Sequence, residues 1–194
     1  MVIIHTIIYF VRHAESPYVS GEERKRGLSA QGRQAALRVK DVLIDKMIDV
    51  FISSPYLRAI LTIKDLADAL GKDILIEEDL RERMLAGKDT VIPDGAFLQA
   101  KRKLYHDKTA AFPGGESSIA AQIRAIKVVS KLLNQYKGRR IVIGTHGDIM
   151  TLMLNHFDPS YDFDFWQKTT MPDIYESTFD GETLLKVSRL WEER

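Results

Sequence analysis

Short apolar runs alternate along this chain with longer stretches whose apolar positions recur every three or four residues. Ile7, Ile8, Tyr9, Phe10 and Val11 make the first run; Val50-Phe51-Ile52-Ser53, Ile74 to Ile76 and Arg140-Ile141-Val142-Ile143-Gly144-Thr145 make three more. Unbroken apolarity of that length predicts buried strands. Between them, Ser29 can cap a helix offering Ala36, Leu37, Val42, Leu43 and Ile44 for burial, after a loop from Pro17 to Leu28. A second helix is predicted from about Leu57 to Leu70, with Leu57, Ile60, Leu61, Ala67 and Leu70 at helical spacing and Gly71 placed to end it. Ser118 starts a third, through Ile119, Ile123, Ile126, Val129 and Leu133, and Asp148 to Asn155 makes a fourth. Ile174 to Phe179 and Leu184 to Leu190 flank Asp180-Gly181, a hairpin that extends the sheet.

The fold class expected is α/β, a three-layer αβα sandwich with a mostly parallel central sheet. From Glu77 to Ser117 the periodicity breaks into charged pieces with Gly87, Pro93, Gly95 and Pro113-Gly114-Gly115. That segment, 77–117, reads as an excursion over the C-terminal strand ends that covers the site there.

The chemistry gathers at those same ends. Arg12-His13-Ala14-Glu15-Ser16 follows the first strand, His146-Gly147 follows Thr145, and Ser54-Pro55 turns the strand Val50 to Ser53 into a helix whose early face carries Arg58. Parallel strands joined by helical crossovers put their exits on one side of the sheet, so Arg12, His13, Arg58 and His146 can converge. A neutral imidazole can attack phosphorus, and guanidinium forks hold phosphoryl oxygens. A leaving alcohol also needs a proton donor, and Glu82, just past Ile74 to Ile76, is the candidate acid and base. Arg-His after a strand, taken alone, reads as a solvated strand end, and the Glu82 segment alone reads also as a surface charge run; together they do not.

These residues resemble the histidine phosphatase superfamily, which includes cofactor-dependent phosphoglycerate mutases. The resemblance rests on Val11 to Ser16, Leu28-Ser29-Ala30-Gln31-Gly32, Ser53-Ser54-Pro55 with Arg58, Leu80-Arg81-Glu82, Pro113-Gly114-Gly115-Glu116-Ser117 and Gly144-Thr145-His146-Gly147. It implies that His13 becomes phosphorylated, that Arg12, Arg58 and His146, with Gly147, bind the phosphoryl group, and that Glu82 is the acid and base. It implies no metal and no cofactor. The acid phosphatase and phytase branch puts an aspartate directly after the second histidine, whereas here Gly147 precedes Asp148, which points to the mutase-like branch. Two positions depart from the pattern. Ala14 stands where glycine is commoner, and Arg83-Met84-Leu85-Ala86-Gly87 replaces the Trp-Glu-Gly that often follows the acid.

Composition narrows the partners. The 194 residues suffice for one catalytic domain spanning 1–194, burying about 70% of its unfolded surface. With 28 Lys and Arg against 27 Asp and Glu, the net charge of +1 provides no global field for nucleic acid or an anionic membrane. There is no cysteine, which excludes disulfides and a cysteine-phosphatase mechanism and is compatible with a reducing cytoplasm. Val2 to Val11 is too short to span a bilayer and lacks a basic leader, so it reads as a buried strand. No Walker-type loop is present.

The function expected is a metal-independent hydrolase acting on a small-molecule phosphomonoester through a phosphohistidine on His13. The alternatives are a cofactor-dependent phosphoglycerate mutase-type phosphotransferase and, from another class, a non-catalytic phosphate-binding regulatory module. Hydrolysis is favoured because the chain resembles the shorter phosphatase members. Arg24-Lys25-Arg26 and Lys101, Arg102, Lys103 and His106 offer a second anion site or, more simply, solvated faces. Tyr18, Phe97, Tyr105 and Phe112 pack the excursion or wall a larger leaving group. His5 and His156 read as structural, and Phe163, Phe165 and Trp166 as packing beneath the tail. Nothing in the sequence sets the oligomeric state.

Overall fold

A computed structural model describes residues 4–19, 21–87, 90, 92–93 and 95–192. Val2 and Ile3 of the first apolar run, and Lys88, Asp89, Val91 and Asp94 of the excursion, lie outside the described residues.

Among the described residues six strands form one sheet: β1 (Thr6–Arg12), β2 (Val50–Ser53), β3 (Ile74–Ile76), β4 (Arg140–Thr145), β5 (Asp173–Asp180) and β6 (Thr183–Arg189), in the order β3-β2-β4-β1-β5-β6. The first four are mutually parallel, and β5 and β6 add an antiparallel hairpin at the β1 edge. Among the described residues six α-helices accompany them: α1 (Ala30–Leu43), α2 (Leu57–Ala69), α3 (Phe97–His106), α4 (Ser118–Gln135), α5 (Gly147–Phe157) and α6 (Phe163–Lys168).

The unbroken apolarity of β1 and β4 follows from helices on both faces. Successive side chains of a strand point to opposite faces. Ile8, Phe10, Ile141 and Ile143 accordingly pack on α4 and α5, through Ala121, Ala125, Val129, Ile149 and Met153. Tyr9, Val11 and Val142 pack on α1 and α2, through Val39, Leu43, Ile63 and Leu66. The sandwich is the one the sequence predicts. Among the described residues no helix is long and apolar enough to cross a membrane.

Helix α4 begins at Ser118, as expected; its cap is Ser117, whose hydroxyl accepts from the Ala120 N–H at 3.2 Å, while Ser118 is buried. Two details differ from expectation. Helix α3 lies within the excursion, with Lys101, Leu104 and Tyr105 on its buried face. Phe163 and Trp166 pack against that helix rather than under the tail: Phe163 meets Tyr105 edge-on at 6.0 Å, and Trp166 lies beneath the Lys101 ammonium at 3.9 Å. Phe165 reaches the C-terminal hairpin, through Tyr175 at 5.1 Å.

Candidate active site

The parallel strands end together, and their ladder continues one residue beyond each. The His13 N–H donates to the Thr145 carbonyl at 2.9 Å and the Ser54 N–H to that of Gly144 at 2.9 Å. This places His13, Ser54 and His146 side by side at one sheet edge, the two imidazole centroids 5.2 Å apart. His13 Nδ1 is 2.7 Å from its neighbour's carbonyl, that of Ala14. A carbonyl can only accept, so Nδ1 carries the proton and Nε2 keeps its lone pair.

The loop after His13 is held from two sides. The Ala14 N–H donates to Thr62 Oγ1 of α2 at 2.9 Å, and that hydroxyl donates to the Arg58 carbonyl at 2.7 Å. The Glu15 carbonyl accepts from the Ser29 N–H at 3.1 Å, and a β-carbon on Gly32 would stand 2.1 Å from that same oxygen. The Leu28 to Gly32 motif thus caps α1 and brings its first turn against the loop. Ala14 replaces glycine without strain, since Met47 is the one non-glycine residue at positive φ among the described residues. Its methyl is buried with Leu28 and Ala36.

Three guanidinium groups surround these imidazoles. Arg12 donates through Nη1 to the Thr169 carbonyl at 2.9 Å, and it lies flat on Gly147, where a β-carbon would come within 2.8 Å of Cζ. Arg58, 1% exposed, covers the Tyr56 ring at 4.8 Å and donates through Nη1 to the Glu23 carbonyl at 2.6 Å. Arg26 donates to Ser16 Oγ at 2.7 Å. The Glu23 carboxylate is shared, 3.2 Å from Arg58 Nη2 and 3.3 Å from Arg26 Nη2. The Nε atoms of all three arginines are buried without a partner among the described residues, as is His146 Nδ1. Buried donors of this kind call for a polar partner.

Burial and this positive surrounding set the imidazoles' charge. Burial, then the Arg58 charge and after it those of Arg12 and Arg26, push His13 down to about 3 against the pull of its Ala14 hydrogen bond. His146, wholly buried, is pushed well below the usual imidazole range by burial first and then by His13 and the arginines. Both rings are neutral near pH 7. His146 Nε2 is 2.7 Å from Ser54 Oγ, and the Tyr56 ring meets its edge at 5.1 Å.

Glu82 is held by a helix end. Its carboxylate oxygens accept from the N–H groups of Arg83 at 2.9 Å, Asp148 at 3.2 Å and Ile149 at 3.0 Å, the last two in the first turn of α5. His146 is the N-cap of that helix, so Glu82 and His146 share its positive end. The Pro113 to Ser117 motif supports this placement. Residues 113–115 cross 85–87 so closely that a β-carbon on Gly115 would stand 2.3 Å from the Leu85 carbonyl oxygen. Glu116 then takes a two-pronged ion pair from Arg124 at 2.7 and 2.8 Å.

The structure therefore brings together Arg12, His13, Arg58, Glu82, His146 and Gly147. It adds Arg26, Ser54, Tyr56 and Glu23, which the sequence reading left out of the site. Arg26 is concealed in the charge run from Glu22, although its side chain is only 12% exposed. The second basic group divides: Lys101 is buried against Asp148, while Arg102 pairs with Asp164 at the surface.

Comparison with known proteins shows the family and the fold. The model of the histidine phosphatase superfamily (branch 1) matches residues 8–184. Phosphoglycerate mutase-like protein 4 of Arabidopsis thaliana is 30% identical over 170 residues, covering 79% of this chain and 71% of the relative. Glucosyl-3-phosphoglycerate phosphatase of Mycolicibacterium vanbaalenii is 27% identical over 161 residues, covering 75% and 71%. Among solved structures, the mycobacterial glucosyl-3-phosphoglycerate phosphatase superposes with a TM-score of 0.75 at 20% identity, over 95% of this chain and 97% of that one.

Proposed function

This chain belongs to branch 1 of the histidine phosphatase superfamily, and from that membership we propose that it hydrolyses phosphomonoesters through a phosphohistidine on His13. The observation that carries the proposal is a neutral imidazole of fixed tautomer inside a ring of buried, partly unsatisfied guanidinium donors. Nε2 of His13 attacks phosphorus and forms an N–P bond as the ester P–O bond breaks. The proton that the leaving alkoxide takes comes from the Glu82 carboxyl. Arg12, Arg58 and His146, with the Gly147 N–H, hold the equatorial oxygens, where transition-state charge accumulates. Glu82, now a carboxylate, takes a proton from water, which attacks phosphorus; the N–P bond breaks, its electron pair returns to His13, and inorganic phosphate leaves.

In this reading the segment 77–117 closes the site, because it carries Glu82 to the end of α5, and the whole chain acts as one catalytic domain. Hydrolysis is favoured over phosphoryl return to a second hydroxyl by the likeness to shorter phosphatases. The mutase-like relative keeps the second outcome in the test.

The test is turnover of a series of phosphomonoesters of graded leaving-group pKa in EDTA, with His13→Ala and Glu82→Gln beside the parent. His13→Ala abolishes turnover of every substrate and the acid-labile phosphoenzyme trapped on rapid quenching. Glu82→Gln costs about a hundredfold for poor leaving groups and little for good ones, which depart without a proton. Phosphoglycerate interconversion with a bisphosphorylated primer and little free phosphate would replace the hydrolase with a mutase. Phosphate binding without any phosphoenzyme would leave a binding module.

A further inference from the structure

Asp148 is a buried carboxylate that the reaction described above does not use. It is the second residue of α5 and 2% exposed. Oδ2 is 2.8 Å from Arg83 Nε and 3.2 Å from Lys101 Nζ, and Oδ1 accepts from the Tyr105 hydroxyl at 2.6 Å. Arg83, Lys101 and Tyr105 are themselves buried. Taking one carboxylate and two cations out of water is costly, and apolar residues of equal volume commonly stabilise such a site as well or better. Stability alone therefore does not account for the group.

Its position does. Residues 83 and 148, joined by their side chains, are also two of the three residues whose backbone N–H groups donate to Glu82. The result is a closed ring: from the Glu82 carboxylate to the N–H of residue 148, through the Asp148 and Arg83 side chains, and back through the N–H of residue 83. Lys101 and Tyr105 tie α3 to the same carboxylate, and Arg83 reaches Ser118 at the start of α4, whose hydroxyl donates to the Leu104 carbonyl. The aspartate is thus the point where α3, α4 and α5 are joined behind Glu82.

We propose that Asp148 is a positioning residue that sets the Glu82 carboxyl against the leaving oxygen by clamping its two backbone donors together through Arg83, and that Lys101 makes this setting depend on α3 being docked. The proposal rests on Glu82 being the proton donor. The Asp148 carboxylate is taken up by Arg83, Lys101 and Tyr105, so its removal should act on the proton-transfer step and leave phosphoryl binding intact.

The experiment measures kcat and KM for good and poor leaving groups in Asp148→Asn, Lys101→Met, Lys101→Arg, Glu82→Gln and the Glu82→Gln/Asp148→Asn double variant, with melting temperatures as control. Asp148→Asn is expected to lower kcat about 30-fold for poor leaving groups and under threefold for good ones, with KM within twofold, since a displacement near 1 Å is enough for such a loss. The double variant should be no slower than Glu82→Gln alone, because residues that act as one unit do not lose activity additively. Lys101→Met removes the surplus buried cation and keeps the Arg83 pair, so it carries the test should Asp148→Asn fail to fold. It should show the same steepening, about fivefold, and Lys101→Arg should recover most of it.

Losses equal for good and poor leaving groups, or losses that multiply in the double variant, would overturn the proposal. A steep response to Glu82→Gln beside a flat one to Asp148→Asn removes the proposal and leaves the acid in place. A flat response to Glu82→Gln removes the acid, and the proposal with it.

Discussion

His13 and Glu82 face the same end of α5 and are held by opposite kinds of structure. His13 extends a strand: its main-chain N–H continues the β1–β4 ladder, and its ring is fixed by the carbonyl next to it. Nothing short of moving the sheet displaces it. Glu82 follows a single 3-10 turn, Glu78–Leu80, and owes its place to three donated N–H groups, two of them from a helix distant in sequence. The half that holds the proposed nucleophile is built into the fold, whereas the half that holds the proposed acid is assembled on top of it by close packing and buried charge.

Two glycines, one in each half, can break or sharpen that contrast. Gly115→Ala drives a β-carbon into the Leu85 carbonyl at 2.3 Å, backbone against backbone, where no flexible side chain can yield. It should cost about 3 kcal/mol of stability by overpacking, read from the denaturation midpoint, and lower turnover of poor leaving groups about tenfold while sparing good ones. Gly147→Ala meets only the Arg12 guanidinium, at 2.8 Å from Cζ, and a side chain can shift. It should leave the midpoint nearly unchanged but weaken vanadate or phosphate binding about tenfold, alike for all substrates. If both variants gave the same pattern, the division between the halves would be wrong.

The same division governs what could be read from the chain. Strands β1, β2 and β4 are legible because continuous apolarity has one good explanation, and the polar residues ending each run, Arg12, His13, Ser54 and His146, are conspicuous against it. Helix α3 is not, because its buried face carries Lys101 where a pattern reader expects an apolar side chain. Charge in a sequence is normally read as solvent contact; it is buried here only because Asp148 and Arg83 share that environment. Arg26 is missed for the same reason, its partners being Ser16 and a carboxylate within its own charge run. Pattern conveys burial by apolar contact well and burial by ion pairing hardly at all.

Acid stability tests the nucleophile's half from another direction. In the unfolded chain His13 titrates near the ordinary imidazole value of about 6.5. In the fold it is held neutral down to about 3, so from pH 6.5 downward the unfolded state binds a proton that the native state does not. Stability therefore falls as pH drops through this window, by about 1.4 kcal/mol per pH unit for each such imidazole, and His146 is depressed in the same direction. Urea titrations at pH 6 and pH 5 should give His13→Ala a shallower loss than the parent by about that amount per unit. Equal slopes would mean that His13 is exposed to water or already protonated in the fold.

The smallest expected effect concerns Glu23, which lies against the guanidinium groups around His13. Its carboxylate is shared by Arg58 and Arg26, and its carbonyl takes a further hydrogen bond from Arg58, so it satisfies donors that a phosphoryl group would need. In the proposed reaction a dianion entering the ring competes with that carboxylate for the guanidinium donors. The Glu23 side chain is 45% exposed, and an ion pair so open to water contributes no more than about 1 kcal/mol. Glu23→Gln should then tighten product inhibition by inorganic phosphate about threefold and lower KM by a similar factor, with kcat unchanged. Weaker phosphate binding in this variant would reverse the sign: Glu23 would then be orienting the two guanidinium groups for the substrate instead of competing with it for them.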